Sequence, residues 1–118
     1  MSNQIKITVA DIIGSQLCIS TDDGQKIFDK VKPLVKKGER VTISFKNVTM
    51  LISAFLNVAI GQLYGPSFNE NAIRRQVKFE GLSSDDEELL HIVVDNAKKY
   101  YSNKEGYDKA RQEIEDEE

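Results

Sequence analysis

The hydrophobic positions change period several times along the chain, and each change marks an element. In VTISF, residues 41–45, Val41, Ile43 and Phe45 alternate with Thr42, Ser44 and Lys46. A period of two in β-branched and aromatic residues predicts a strand with one core face and one wetter face. Upstream, Ile27, Val31 and Leu34 share a helical face, with Phe28 and Val35 beside it. Ser20 followed by Asp23 has capping-box spacing and sets the start of that helix. Pro33 should kink it or end its regular part, and Gly38 is its stop. Ile5, Thr8 and Val9 predict a short first strand and residues 16–20 a second, with Ile13-Gly14-Ser15 as the turn between them. Whether these two strands pair as a hairpin is open at this stage.

Asn47 reads as a turn into VTML, and a helix follows over about residues 54–64, closed by Gly65-Pro66. Ser67, with Glu70 three later, predicts a short helical turn through Arg75. QVKFEGL, residues 76–82, reads as a further strand. Ser84 and Glu87 repeat the capping-box spacing before a long amphipathic helix to about Tyr101, with Leu89, Val93, Ala97 and Tyr100 in line. The order β-β-α-β-α-β-α predicts an α/β fold, a small mixed β-sheet of about four strands covered mainly on one face by helices. Residues 1–103 form the single expected domain, and residues 104–118 a charged, flexible C-terminal tail.

The central helix is unusual. Ala54, Phe55, Leu56, Val58, Ala59, Ile60 and Leu63 occupy almost every azimuth, so it is packed on two sides or shows apolar surface to a partner. For a chain this small, the pattern points to contact with another chain. Asn57, Gly61 and Tyr64, at i, i+4 and i+7, form its one narrow polar face. Ser53 stands at the entry, where a serine caps an orphan N–H.

Composition narrows the function classes. The chain has 118 residues, 40% apolar and 30% charged, with a formal net charge of -3, which fits one globular domain and argues against a general nucleic-acid binder. No apolar run approaches the roughly 18 residues of a membrane span, and a start that leads straight into a strand predicts a cytoplasmic protein. The lone Cys18, between Leu17 and Ile19, reads as a buried thiol. His91 is the only histidine, so no zinc set is expected. The glycines are scattered singly and no phosphate loop occurs, so no cofactor is expected. Asp22-Asp23 and Asp85-Asp86-Glu87-Glu88 open predicted helices, where negative charge meets the macrodipole. A Ser53–His91–Asp95 triad lacks its setting, because Ser53 lies in SAFLN and not in GxSxG. No catalytic residue is assigned, and the chain reads as a non-enzyme.

VTISFKNVTMLISAFLNVAIG resembles the core of the STAS fold of anti-sigma-factor antagonists. In that family a strand, a turn and a short aliphatic segment lead to Asp-Ser-Ser-Gly-Leu at a helix start. Here Ile52 takes the Asp position, Ser53 that of the phosphorylated serine, Ala54 the second serine, Phe55 the glycine and Leu56 the leucine. Ser53, Phe55, Leu56 and Asn57 are closer to the DUF4325 branch of bacterial STAS-like proteins, as is VKFEGLSSDDEELLHIVVDNAKKYY. The resemblance spans roughly residues 5–101. It implies a regulatory protein-protein interaction module, a partner of a histidine-kinase-like ATPase, phosphorylated at Ser53, with Ser53, Phe55, Asn57, Gly61 and Tyr64 meeting the partner. The alternative is a constitutive scaffold or homodimer-type oligomer in which Ser53 is only a helix cap.

Overall fold

The computed structural model describes the backbone of residues 4–116 and the side chains of residues 4–102. Strands β1 (Gln4–Thr8), β3 (Arg40–Ser44) and β5 (Val77–Glu80) form a sheet in the order β1-β3-β5, while β2 (Leu17–Cys18) pairs separately with β4 (Met50–Leu51). The helices are α1 (Val9–Ile13), α2 (Thr21–Lys36), α3 (Ser53–Ala59), α4 (Glu70–Gln76) and α5 (Ser84–Asp116), with a 3-10 turn at Gly61–Tyr64 after α3. The α/β class and the small sheet hold, and every pairing among the described residues is parallel. The first two strands therefore do not form a hairpin. A short helix, α1, intervenes between them and ends at Gly14 in the left-handed conformation (φ 68°). The chain thus reverses by a helix and not by a tight turn, and each strand takes its partner from later in the sequence.

β3 is the central strand, which overturns the expectation of a wetter face. Val41, Ile43 and Phe45 pack into the core, yet Thr42 and Ser44 on the opposite face are only 8% and 1% exposed. Long side chains from the flanking strands cover them. The Gln4 amide donates to the Thr42 hydroxyl at 2.6 Å, and Lys6 on β1 reaches across to Glu80 on β5 at 2.6 Å. The outer face of the sheet is thus a polar layer, while the inner face carries the hydrophobic core.

α2 starts as predicted, with the Ser20 hydroxyl accepting from the Asp23 N–H at 3.3 Å. Pro33 does not end it. The buried stripe of Ile27, Val31 and Val35 continues past the exposed Pro33, which loses its hydrogen bond on the solvent side, and Gly38 (φ 80°) follows the last turn. Two other caps are displaced from their expected places. Asn69, not Ser67, caps α4 by accepting from the Ala72 N–H, and Ser83, not Ser84, caps α5 by accepting from the Asp86 N–H at 3.1 Å. α5 extends to Asp116, well beyond Tyr101. The flexible-tail expectation for residues 104–118 falls on side chains outside the described residues. Tyr100 is 56% exposed, and the inward line of α5 instead runs through Leu90, Val93 and Ala97 to the half-buried Tyr101.

α3 is buried within its own chain. Phe55, Leu56 and Ala59 of α3, with Ile60 and Leu63 just after it, have no exposed surface, because α2 and α5 both pack against α3. The inference that surplus apolar surface on this helix meets another chain is therefore corrected. Gly24 on α2 makes the close packing feasible, since a Cβ there would lie 2.8 Å from the Phe55 carbonyl oxygen.

Candidate functional site

The site begins at the junction of β4 and α3. The β2–β4 ladder carries the chain in an extended state as far as Ile52, whose N–H donates to the Cys18 carbonyl at 3.2 Å. The Ile52 carbonyl then accepts from the Leu56 N–H at 3.3 Å, so Ile52 is the residue with one end in each element. Its extended backbone (φ -116°, ψ 158°) makes it the N-cap, and no side chain caps the helix. Ser53 is consequently the first helical residue and not the cap. That corrects the capping reading: the helix begins one residue earlier than the sequence pattern suggests. Ser53 is exposed, and its hydroxyl makes no hydrogen bond to a described residue.

Around Ser53 lies a surface that the sequence reading did not identify. In a strand, alternate residues share a side: with Leu17 paired to Met50 and Cys18 to Leu51 in parallel register, the outer positions are Leu17 and Met50, then Ile19 and Ile52 just past the ladder. These four point outward, 43%, 45%, 52% and 37% exposed, while Cys18 is fully buried and Leu51 half-buried on the inner side. Four large aliphatic side chains on one ladder make an apolar patch on the order of a few hundred Å², a size at which patches on monomers are often functional. The alternation in LCI and MLI was a signal for it, but pairing of the two segments is visible only in three dimensions.

The structure divides the expected partner-binding residues. Asn57 is exposed one turn after Ser53, and with Gly61 it lines a groove of about 320 Å³ against Asn96, Ala97 and Tyr100 of α5. A Cβ on Gly61 would meet the Ala97 Cβ at 3.6 Å, an ordinary contact, so the groove floor does not demand glycine. Gly61 lies against Ala97 and Gly65 against Tyr101, so the two segments run in the same direction. Phe55 is corrected: with no exposed surface it offers nothing to a partner. Tyr64 belongs to a different recess, beside Phe68, where the Lys98 ammonium sits 5.6 Å from its ring. Burial raises the Tyr64 phenol above its ordinary value, opposed by Lys98. Lys98 also pairs with Glu70 at 2.8 Å and holds that carboxyl below the usual range.

Other chemistry is sparse. Burial, with Asp23 and Asp86 adding to it, pushes the Cys18 thiol up to about 11, so it stays protonated and inert as a nucleophile at neutral pH. His91 is exposed on α5. Among the described residues no three His, Cys, Asp or Glu side chains come together as a metal set, and no helix is long and apolar enough to cross a membrane.

Comparison with known proteins assigns the fold at family level. The family model described as "STAS-like domain of unknown function (DUF4325)" matches residues 23–87, which span most of α2 and all of β3, β4, α3, α4 and β5. No curated protein and no solved structure matches.

Proposed function

The chain belongs to the STAS-like domain family DUF4325, and on that basis we propose that it is a non-enzymatic regulatory module that recognises a partner protein at the strand-to-helix junction around Ser53 and Asn57. The observation that carries this reading is the exposed, unbonded Ser53 hydroxyl beside an outward-facing apolar patch. The partner class is a histidine-kinase-like ATPase, which phosphorylates Ser53. A phosphate would add about -1.5 to -2 charges beside Ile52 and Met50. In a docked complex that charge must be desolvated against apolar surface, which is costly without a paired cation. The complex then separates, and dephosphorylation restores it.

The constitutive-scaffold reading loses its structural support, since Ser53 makes no capping bond; its homo-oligomer form retains only the apolar patch. A pull-down with wild type, Ser53→Ala and Ser53→Glu, read by intact mass and partner identification, tests the proposal. The expected result is an ATPase held by wild type and by Ser53→Ala, lost with Ser53→Glu, and a phosphate mapped to Ser53 in the wild type. Recovery of this chain alone, unphosphorylated and unaffected by either substitution, would refute it.

A further inference from the structure

Two shallow recesses meet along one ridge. Gly65, Pro66, Phe68 and Tyr101 line both, and each recess holds about 220 Å³. The Tyr101 ring lies so close to Gly65 that a Cβ there would stand 3.4 Å from it. Phe68 packs edge-on to Phe28 of α2, with ring centroids 6.1 Å apart. Phe28 lines one recess and Tyr64 the other. Three of these rings carry an ammonium group. Lys32 is 5.9 Å from the Phe28 centroid, Lys36 is 4.8 Å from that of Phe68, and Lys98 is 5.6 Å from that of Tyr64.

The charges at this ridge do not cancel. Glu70 is shared by Lys98 at 2.8 Å and Arg74 at 3.4 Å, one carboxylate against two cations. Lys36 donates to the Ser67 carbonyl at 3.0 Å, which leaves donors of its ammonium free for an anion. Neither Lys32 nor Lys36 pairs with a carboxylate among the described residues. In a chain of formal net charge -3 this positive excess is local.

We propose that the ridge receives an extended acidic segment of a partner protein, with an aromatic or proline residue in the recesses and Asp or Glu side chains on Lys32 and Lys36. Each recess is smaller than the about 300–1,000 Å³ of a small-molecule site, so a chain that crosses the ridge fills them better than one compact ligand. Rings and proline lie well against the edges of Tyr101 and Phe68, and the lysines set the sign of the flanks. Single-stranded nucleic acid also seeks rings and cations, but here ammonium groups already sit over the Phe28, Phe68 and Tyr64 rings where a base would stack. The chain's own acidic end, residues 112–118, holds neither ring nor proline. α5 moreover carries Asp116 about 20 Å beyond Ser102, at 1.5 Å per residue. The Ser53 junction plays no part in this surface, so either reading can fail without the other.

Selection of random dodecapeptides on the immobilised full chain tests the proposal, with an oligothymidylate of similar length as the nucleic-acid probe. Wild type is compared with Lys32→Glu/Lys36→Glu and with Tyr101→Ala. A Lys30→Glu/Lys78→Glu control makes the same change in net charge at exposed positions outside both recesses. Each variant is first shown to unfold cooperatively; Lys32 and Lys36 are exposed, so their reversal spares the core even if Tyr101→Ala does not fold. The expected peptides combine net negative charge with an aromatic or proline residue. The Lys32/Lys36 variant should retain them about tenfold less, raised salt should weaken them, and the control should stay within about twofold of wild type. Tyr101→Ala should retain them several-fold less. Basic or uncharged peptides, equal losses in the two lysine variants, no enrichment, or tighter binding of the oligonucleotide than of any peptide would overturn the inference. So would a wild-type dimer, seen by light scattering, that the Lys32/Lys36 variant loses, because the occupant would then be a second copy.

Discussion

Replacing Gly24 by alanine tests how closely α2 and α3 are packed. In an ordinary helix the change stabilises, because alanine is favoured over glycine by about 1 kcal/mol. Here the added methyl would lie 2.8 Å from the Phe55 carbonyl oxygen, 3.1 Å from the Val58 Cβ and 3.4 Å from the Ala59 N. The nearest of these is backbone, so no rotamer change relieves the clash and α3 must move as a unit. Overpacking costs about 1–3 kcal/mol, and an unyielding backbone neighbour puts this case in the upper part of that range, about 2–3 kcal/mol. Set against the helix gain, the expected net loss is about 1–2 kcal/mol. At about 4–8 °C per kcal/mol for a domain near this size, the midpoint should fall by roughly 5–15 °C. Urea unfolding should show a lower midpoint at an unchanged slope, the mark of a stability change within the same folded state. A Gly24→Ala protein as stable as wild type, or more so, would mean that the helices are farther apart than described and that propensity, not packing, decides the position.

Gly61→Ala should be nearly neutral, within about 0.5 kcal/mol, since the new methyl would meet Ala97 at ordinary distance; a loss comparable to that at Gly24 in thermal unfolding would contradict the groove geometry. Ser20→Ala should cost about 1 kcal/mol through its lost cap, while Ser53→Ala should leave the unfolding midpoint almost unchanged; equal losses would restore Ser53 as a cap. Cys18 should resist alkylating reagents in the folded state. Its folded value, about 11, lies above its ordinary 9.0, so the associated stability is fully present below pH 9.0 and is lost as pH rises towards 11. Denaturant midpoints followed across that window, in wild type and Cys18→Ala, should show the extra fall in wild type only.

Much of the local structure is legible in the chain itself. The alternation of Val41, Ile43 and Phe45 marks β3, and Ser20 with Asp23 places the start of α2 where the structure has it. Gly38 and Asn47, with φ of 80° and 68°, sit at turns that the sequence reading placed there. Short polar side chains at helix starts proved harder to rank. Ser67 and Asn69, like Ser83 and Ser84, are near neighbours with similar capping chemistry, and the direction of chain entry decides between them.

What the sequence determined by itself is the period of each element and the approximate place of the strand-to-helix junction near Ser53, because each depends on residues within a few positions of one another. What only the tertiary structure decided is which faces meet. α3 looks like a helix in need of a partner until α2 and α5 are seen to pack against it, with Gly24 admitting the Phe55 backbone. Thr42 and Ser44 read as wet until β1 and β5 flank them and Gln4, Lys6 and Glu80 close over the face. Leu17, Ile19, Met50 and Ile52 become one surface only because two strands more than thirty residues apart lie in register. Burial belongs to pairs of segments distant in sequence, and no local pattern contains that information.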